Sequence, residues 1–145
     1  MTLDNLKLHA SFTTAGAELA SIFSKEKQQE FLWQGNKEWW PRRAPVLFPI
    51  VGKLNQNSFR YNGEIYSLPQ HGFARDNEFT VEKQSESATT FLLSSTEVLL
   101  TKFPFDFQLR ITYTLIDSTL ETQYEVRNPG SKSMYFSIGA WRRNL

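Results

Sequence analysis

The stretch PFDFQLRITYTLIDSTLETQYEVRNPG, residues 104–130, decides the fold. Phe105, Phe107, Leu109, Ile111, Tyr113 and Leu115 alternate with Asp106, Gln108, Arg110, Thr112 and Thr114. A period of two is that of a strand with one buried face. Asp117 and Ser118 supply a turn, and Leu120, Thr122, Tyr124 and Val126 then alternate with Glu121, Gln123, Glu125 and Arg127. The two runs predict an antiparallel hairpin. Asn128, Pro129 and Gly130 close it, and Met134 to Ile138 begin another apolar stretch, which predicts a strand from Met134 to Ala140.

Working upstream, Ser95 to Lys102 is the one segment that predicts a helix, with a Ser or Thr cap and an end before Pro104. Asn62 and Gly63 suit the positive φ angles of a type I′ hairpin turn between Phe59–Tyr61 and Glu64–Tyr66. Shorter strands are predicted at Leu6–Phe12, Leu19–Phe23, Glu30–Trp33, Phe79–Lys83 and Thr90–Ser94. Many strands separated by turn residues favour an all-β chain, a sandwich or barrel of antiparallel sheets, over residues 1–145 as one domain.

From Trp39 to Leu54 that pattern fails. Prolines at 41, 45 and 49 forbid a helix and interrupt any central strand, so the segment is expected to run as an irregular, packed loop. Loops held on a rigid scaffold are where function concentrates. A second irregular run, Leu68 to Arg75, follows the Asn62–Gly63 hairpin directly.

Composition narrows the function classes. Apolar residues make up 40% of the chain and aromatics 14%, which suits a packed core and not a disordered chain. Sixteen basic residues against fifteen acidic ones leave no field of one sign to attract nucleic acid or an anionic membrane. Without cysteine there is no disulfide, thiolate metal site or cysteine nucleophile, and two histidines make a poor metal set. No metal and no cofactor are expected. The charged start and the lack of any long apolar run lead to the expectation of a soluble, cytoplasmic protein whose partner is a small molecule.

The segments FLWQG (31–35), WPRRAPVLFPIVGKL (40–54), YNGEIYSLPQHGFAR (61–75), PFDFQLRITYTL (104–115), VRNPG (126–130) and MYFSIGA (134–140) are together similar, in order and spacing, to the aldose 1-epimerases. The similarity is greatest to the branch of hexose-6-phosphate epimerase-like and lactose-operon-associated proteins. The resemblance implies a galactose mutarotase-like β-supersandwich whose groove binds a pyranose, free or phosphorylated, and interconverts its α and β anomers. A carboxylate takes the anomeric proton, a histidine serves the ring oxygen, and the ring opens and recloses.

On the motif LPQHGFAR, His71 matches the first of the family's two active-site histidines, Gln70 precedes it, and Arg75 matches the arginine that helps hold a phosphosugar. Arg42 and Arg43 both stand near the family's arginine before the proline-rich loop, with Arg43 preferred. Lys53 falls where sugar epimerases carry a substrate-binding arginine, and it offers a point charge in place of a planar fork. Trp33, Trp39 and Trp40 could stack on a sugar, although aromatics in such a sandwich are more often core or rim. Where the family continues after FSIGA with its second histidine, this chain has Trp141 and then Arg142, Arg143, Asn144 and Leu145. The family's carboxylate base lies further along than residue 145. The resemblance therefore implies a truncated sandwich with impaired catalysis, or a non-catalytic carbohydrate-binding module or inactive remnant.

Overall fold

The computed structural model describes residues 1–141; the basic pair Arg142 and Arg143 lies outside the described residues. Its strands are β1 (Thr2–Asp4), β2 (Leu8–Phe12), β3 (Leu19–Ser24), β4 (Gln29–Glu30), β5 (Val46–Leu47), β6 (Ser58–Tyr61), β7 (Glu64–Ser67), β8 (Thr80–Gln84), β9 (Ala88–Ser94), β10 (Gln108–Ile116), β11 (Thr119–Arg127) and β12 (Gly139–Ala140). One short helix, α1 (Glu97–Leu100), begins after Thr96, whose hydroxyl accepts from the Leu99 N–H at 3.3 Å. Two four-stranded antiparallel sheets, β1-β2-β3-β4 and β11-β10-β9-β8, carry the fold, with the small pairs β5/β12 and β6/β7 beside them.

The decisive hairpin forms in register, from Gln108 opposite Arg127 to Ile116 opposite Thr119. Leu109, Ile111, Tyr113 and Leu115 are all buried, and Phe105 and Phe107 continue the buried face before the strand begins. The two large sheets meet through aromatic rings. Phe12 of β2 lies 4.4 Å from the Tyr113 ring of β10 and 6.2 Å from that of Phe91 in β9, centroid to centroid. The Tyr113 hydroxyl donates to the Ala17 carbonyl at 2.9 Å, so the one polar atom of that buried ring is satisfied.

The proline-rich segment is packed, as its sequence suggests, but it also holds a two-residue strand. Ala44 to Pro49 are buried, and Val46–Leu47 pair with Ala140–Gly139. The Phe48–Pro49 peptide is cis. Phe48 is fully enclosed, with the rings of Phe73, Phe103, Phe107 and Phe136 at 5.2 to 6.3 Å.

Three expected elements differ. Residues 134–138 form no strand; only Gly139 and Ala140 do. Prolines 45 and 49 offer carbonyls but no N–H, so the ladder on that side cannot extend past Val46–Leu47. Single bonds replace it: the Ser137 N–H donates to the Pro49 carbonyl at 2.9 Å, and the Ser137 hydroxyl accepts from the Val51 N–H at 2.9 Å. Strand β2 begins at Leu8 and not at Leu6, because the Asn5 side chain accepts from the Lys7 and Leu8 N–H groups and turns the chain there. Strand β4 ends at Glu30: the Phe31 N–H still donates to the Ile22 carbonyl at 2.9 Å, but the Ile22 and Leu32 N–H groups turn to the Glu30 carboxylate and the ladder goes no further.

Candidate functional site

The turn after β7 is built against the proline-rich segment. His71 and Gly72 both adopt left-handed backbone, with φ of 69° and 72°. The Gly72 N–H closes the turn on the Pro69 carbonyl at 3.0 Å. The Phe73 and Ala74 N–H groups then converge on the Phe48 carbonyl at 2.9 and 3.1 Å. A Cβ on Gly72 would lie 2.2 Å from that same oxygen, so only glycine allows this approach.

His71 is half-buried and bonded twice to one residue. Its N–H donates to the Gly52 carbonyl at 2.7 Å, and the Gly52 N–H donates to its Nδ1 at 3.0 Å. The Gln70 amide lies 3.2 Å from His71 Nε2. Arg75 donates from Nη2 to the Gln70 carbonyl at 2.9 Å, and its Nε stands 3.6 Å from the Asp76 carboxylate. Gln70, His71 and Arg75 are thus joined by direct contact on one turn, with Gly52 and the exposed Lys53 directly beside them.

The arginine pair ahead of the prolines divides its work. Arg42 donates to the Arg75 carbonyl at 3.2 Å and pairs with Asp76, which ties the proline-rich segment to the histidine turn. The main chain at Arg43 and Ala44 is held by Glu18, whose Oε1 accepts both N–H groups at 2.6 and 2.8 Å. Among the described residues the Arg43 guanidinium forms no ion pair, and its Nε is buried without a hydrogen-bond partner. Lys53 likewise forms no ion pair among the described residues.

Of the tryptophans, Trp33 donates its indole N–H to the Trp40 carbonyl at 2.9 Å, the Trp40 and Trp141 rings stand 6.1 Å apart, and Trp39 is exposed. A cleft of about 280 Å³ is lined by Leu19, Ala44, Tyr113, Ala140 and Trp141 together with Thr122 and Tyr124 of β11. The Trp141 N–H donates to the Pro45 carbonyl at 3.3 Å, so position 141 sits on the same proline-rich segment that supports His71. Sequence reasoning missed Glu18, Gly52 and Asp76, which hold the candidates in place through main-chain and ion-pair contacts. For Gly52 the only signal was its place inside VGKL; for Asp76 there was none.

Among the described residues no three His, Asp or Glu side chains come together to hold a metal, and no helix is long and apolar enough to cross a membrane.

Known proteins agree with this architecture. The sequence profile of the family described as Aldose 1-epimerase matches residues 1–140. Protein LacX of Lactococcus lactis is 35% identical over 144 residues, covering 95% of this chain and 48% of that protein. A protein of Escherichia coli K12 named "Putative glucose-6-phosphate 1-epimerase" is 27% identical over 152 residues, covering 96% of this chain and 48% of its own length. The crystal structure of a galactose mutarotase related enzyme from Lactobacillus acidophilus superposes with a TM-score of 0.94 at 40% identity, over 97% of this chain and 47% of that one. The chain spans about half the length of the curated relatives it matches. With its antiparallel sheets and the LPQHGFAR turn seated on the proline-rich segment, it belongs to the aldose 1-epimerase family, in the branch of LacX and the glucose-6-phosphate 1-epimerase-like proteins.

Proposed function

We propose that this chain supplies the His71 side of a sugar groove that holds the pyranose ring of a hexose or hexose 6-phosphate in the cytoplasm, and that by itself it binds sugar weakly without catalysing anomer exchange. The observation that carries the reading is the contact set Gln70–His71–Arg75 on a turn bonded to Gly52 and Phe48. It supplies a histidine, an amide and a guanidinium on one rigid support, the groups a polyhydroxylated ring needs for oriented hydrogen bonds. Arg75, with Arg43 and Lys53 on the adjoining segment, neither of which forms an ion pair among the described residues, would favour a substrate carrying phosphate.

Mutarotation requires a base at the anomeric hydroxyl and an acid at the ring oxygen acting together, each worth roughly 10²- to 10⁴-fold. His71 cannot fill both roles. Trp141 has only an indole N–H, which donates but does not exchange a proton in this range. Polarimetry of freshly dissolved α-glucose and NMR exchange of glucose 6-phosphate anomers should therefore show the buffer rate in the presence of the 145-residue chain. Ligand-observed NMR should still detect binding of glucose 6-phosphate in the millimolar range, about −4 kcal/mol, weakened by Arg75→Ala. Rate acceleration that disappears in His71→Ala would place the full chemistry within these residues and overturn the non-catalytic reading. Absence of any sugar binding would overturn the groove itself.

A further inference from the structure

We infer that the main chain of Gly52 is a positioning group that decides which nitrogen of the uncharged His71 ring carries the proton, selecting the Nε2–H tautomer that donates to a ligand oxygen. The inference rests on the sugar-groove reading for its ligand, but its geometry is independent of it. An imidazole nitrogen that accepts a hydrogen bond cannot also carry a proton, and the hydrogen bond at one nitrogen sets the state of the other. The Gly52 N–H points at Nδ1 from 3.0 Å, while the His71 N–H returns a bond to the Gly52 carbonyl at 2.7 Å. The two bonds form a closed pair between one residue's main chain and the histidine, so the ring cannot turn over without breaking the first.

The backbone leaves little freedom to escape that state. His71 and Gly72 are successive left-handed residues, and Gly72 is pressed against the Phe48 carbonyl. Gly52 itself has a φ of 96°, which aims its N–H inward and which residues with a Cβ seldom adopt. With Nδ1 occupied, the proton resides on Nε2, 3.2 Å from the Gln70 amide. Two N–H groups cannot share one bond, so Gln70 turns its carbonyl oxygen to Nε2; amide oxygen and nitrogen exchange places by a half turn. The Gln70 oxygen then marks the position of a ligand oxygen. A group that only accepts, such as an ether or ring oxygen, replaces it without loss. In this state His71 is a hydrogen-bond donor and not a base.

The chain has two histidines, so His9→Gln, a surface change in β2, leaves His71 as the one imidazole. Long-range ¹⁵N–¹H spectra of that variant, taken without sugar at a pH where the ring is neutral, are expected to show the Nε2–H form alone. Hydrogen exchange gives the second readout. The Gly52 amide should exchange about fivefold or more faster in His71→Ala, the factor carried by a hydrogen bond of ordinary strength. In His71→Asn, whose side-chain oxygen stands near the Nδ1 position, protection of the Gly52 amide should return. Amides of β10 serve as the control that each variant is folded. A populated Nδ1–H form, or equal Gly52 protection in the wild type and His71→Ala, would overturn the inference. Neither readout uses sugar, so failure here is separable from failure of the sugar-groove reading.

Discussion

Two glycines on either side of His71 have opposite reasons for being glycine. At Gly72 both the left-handed φ and the approach of the Phe48 carbonyl exclude a side chain, whereas at Gly52 a Cβ would meet nothing within 4 Å and only φ is at issue. Gly52→Ala should therefore cost about 1 kcal/mol, the backbone penalty alone. Gly72→Ala adds displacement of the Phe48 carbonyl from two N–H groups and should cost roughly 3 kcal/mol or more. Urea unfolding, compared through midpoints at constant slope, measures both. Equal losses would mean that the turn relaxes away from Phe48 freely. The motif LPQHGFAR singled out His71, Gln70 and Arg75 in the sequence, and the fold joins them on one turn. Gly52 and Glu18 were not legible there, because they act through bonds to main-chain or ring atoms that sequence spacing does not encode.

At the level of elements, the outer face of the large sheet is fastened by Arg110 of β10. It grips Glu82 of β8 through Nε and Nη2 at 2.8 Å, reaching over β9, and touches Glu125 of β11 at 3.2 Å. The Arg110 hydrogen bond holds the Glu82 carboxyl below the ordinary glutamate value, against the opposing effect of desolvation. A carboxyl depressed in the fold contributes stability that is fully present above its unfolded value and lost as pH falls through the folded one. The stability of the wild type should therefore drop in the acid range below the ordinary glutamate value, and Glu82→Gln should flatten that limb by lowering stability at neutral pH while the two proteins converge in acid. Urea midpoints of both proteins across that range test this; parallel curves would remove Glu82 from the acid response. Solvent exposure and added salt should shrink the effect.

Across the whole molecule the covering of the sheets is uneven. The inward residues of β10 are buried, but their partners on β11, Leu120, Thr122, Tyr124 and Val126, are at best half covered. Tyr135, Phe136 and Trp141 add exposed aromatic surface at 73%, 43% and 60% on the last described segment. Exposed apolar surface of that kind binds hydrophobic dyes and other protein surfaces. The 145-residue chain should therefore bind an anilinonaphthalene dye in its native, cooperatively unfolding state and associate as its concentration rises. Fluorescence titration together with sedimentation checks this. A monomer that leaves the dye dark at high concentration would show that the face is closed in solution.

Residues 104–130 determined by themselves that the chain is an antiparallel β protein, since a period of two with one apolar face has one stable use. The spacing of prolines 41, 45 and 49 likewise ruled out a helix there without any structure. The tertiary structure alone decided that Val46–Leu47 still form a strand and that 134–138 do not, because a ladder depends on the N–H groups the opposite segment can offer. It also decided that Arg42 and not Arg43 ties the proline-rich segment to Asp76, a choice between adjacent identical side chains that only their directions in space can make. The pairing of His71 with Gly52, 19 residues earlier, belongs to the same class: a ring nitrogen and a main-chain N–H meet because two loops pack on Phe48, and no local pattern records it.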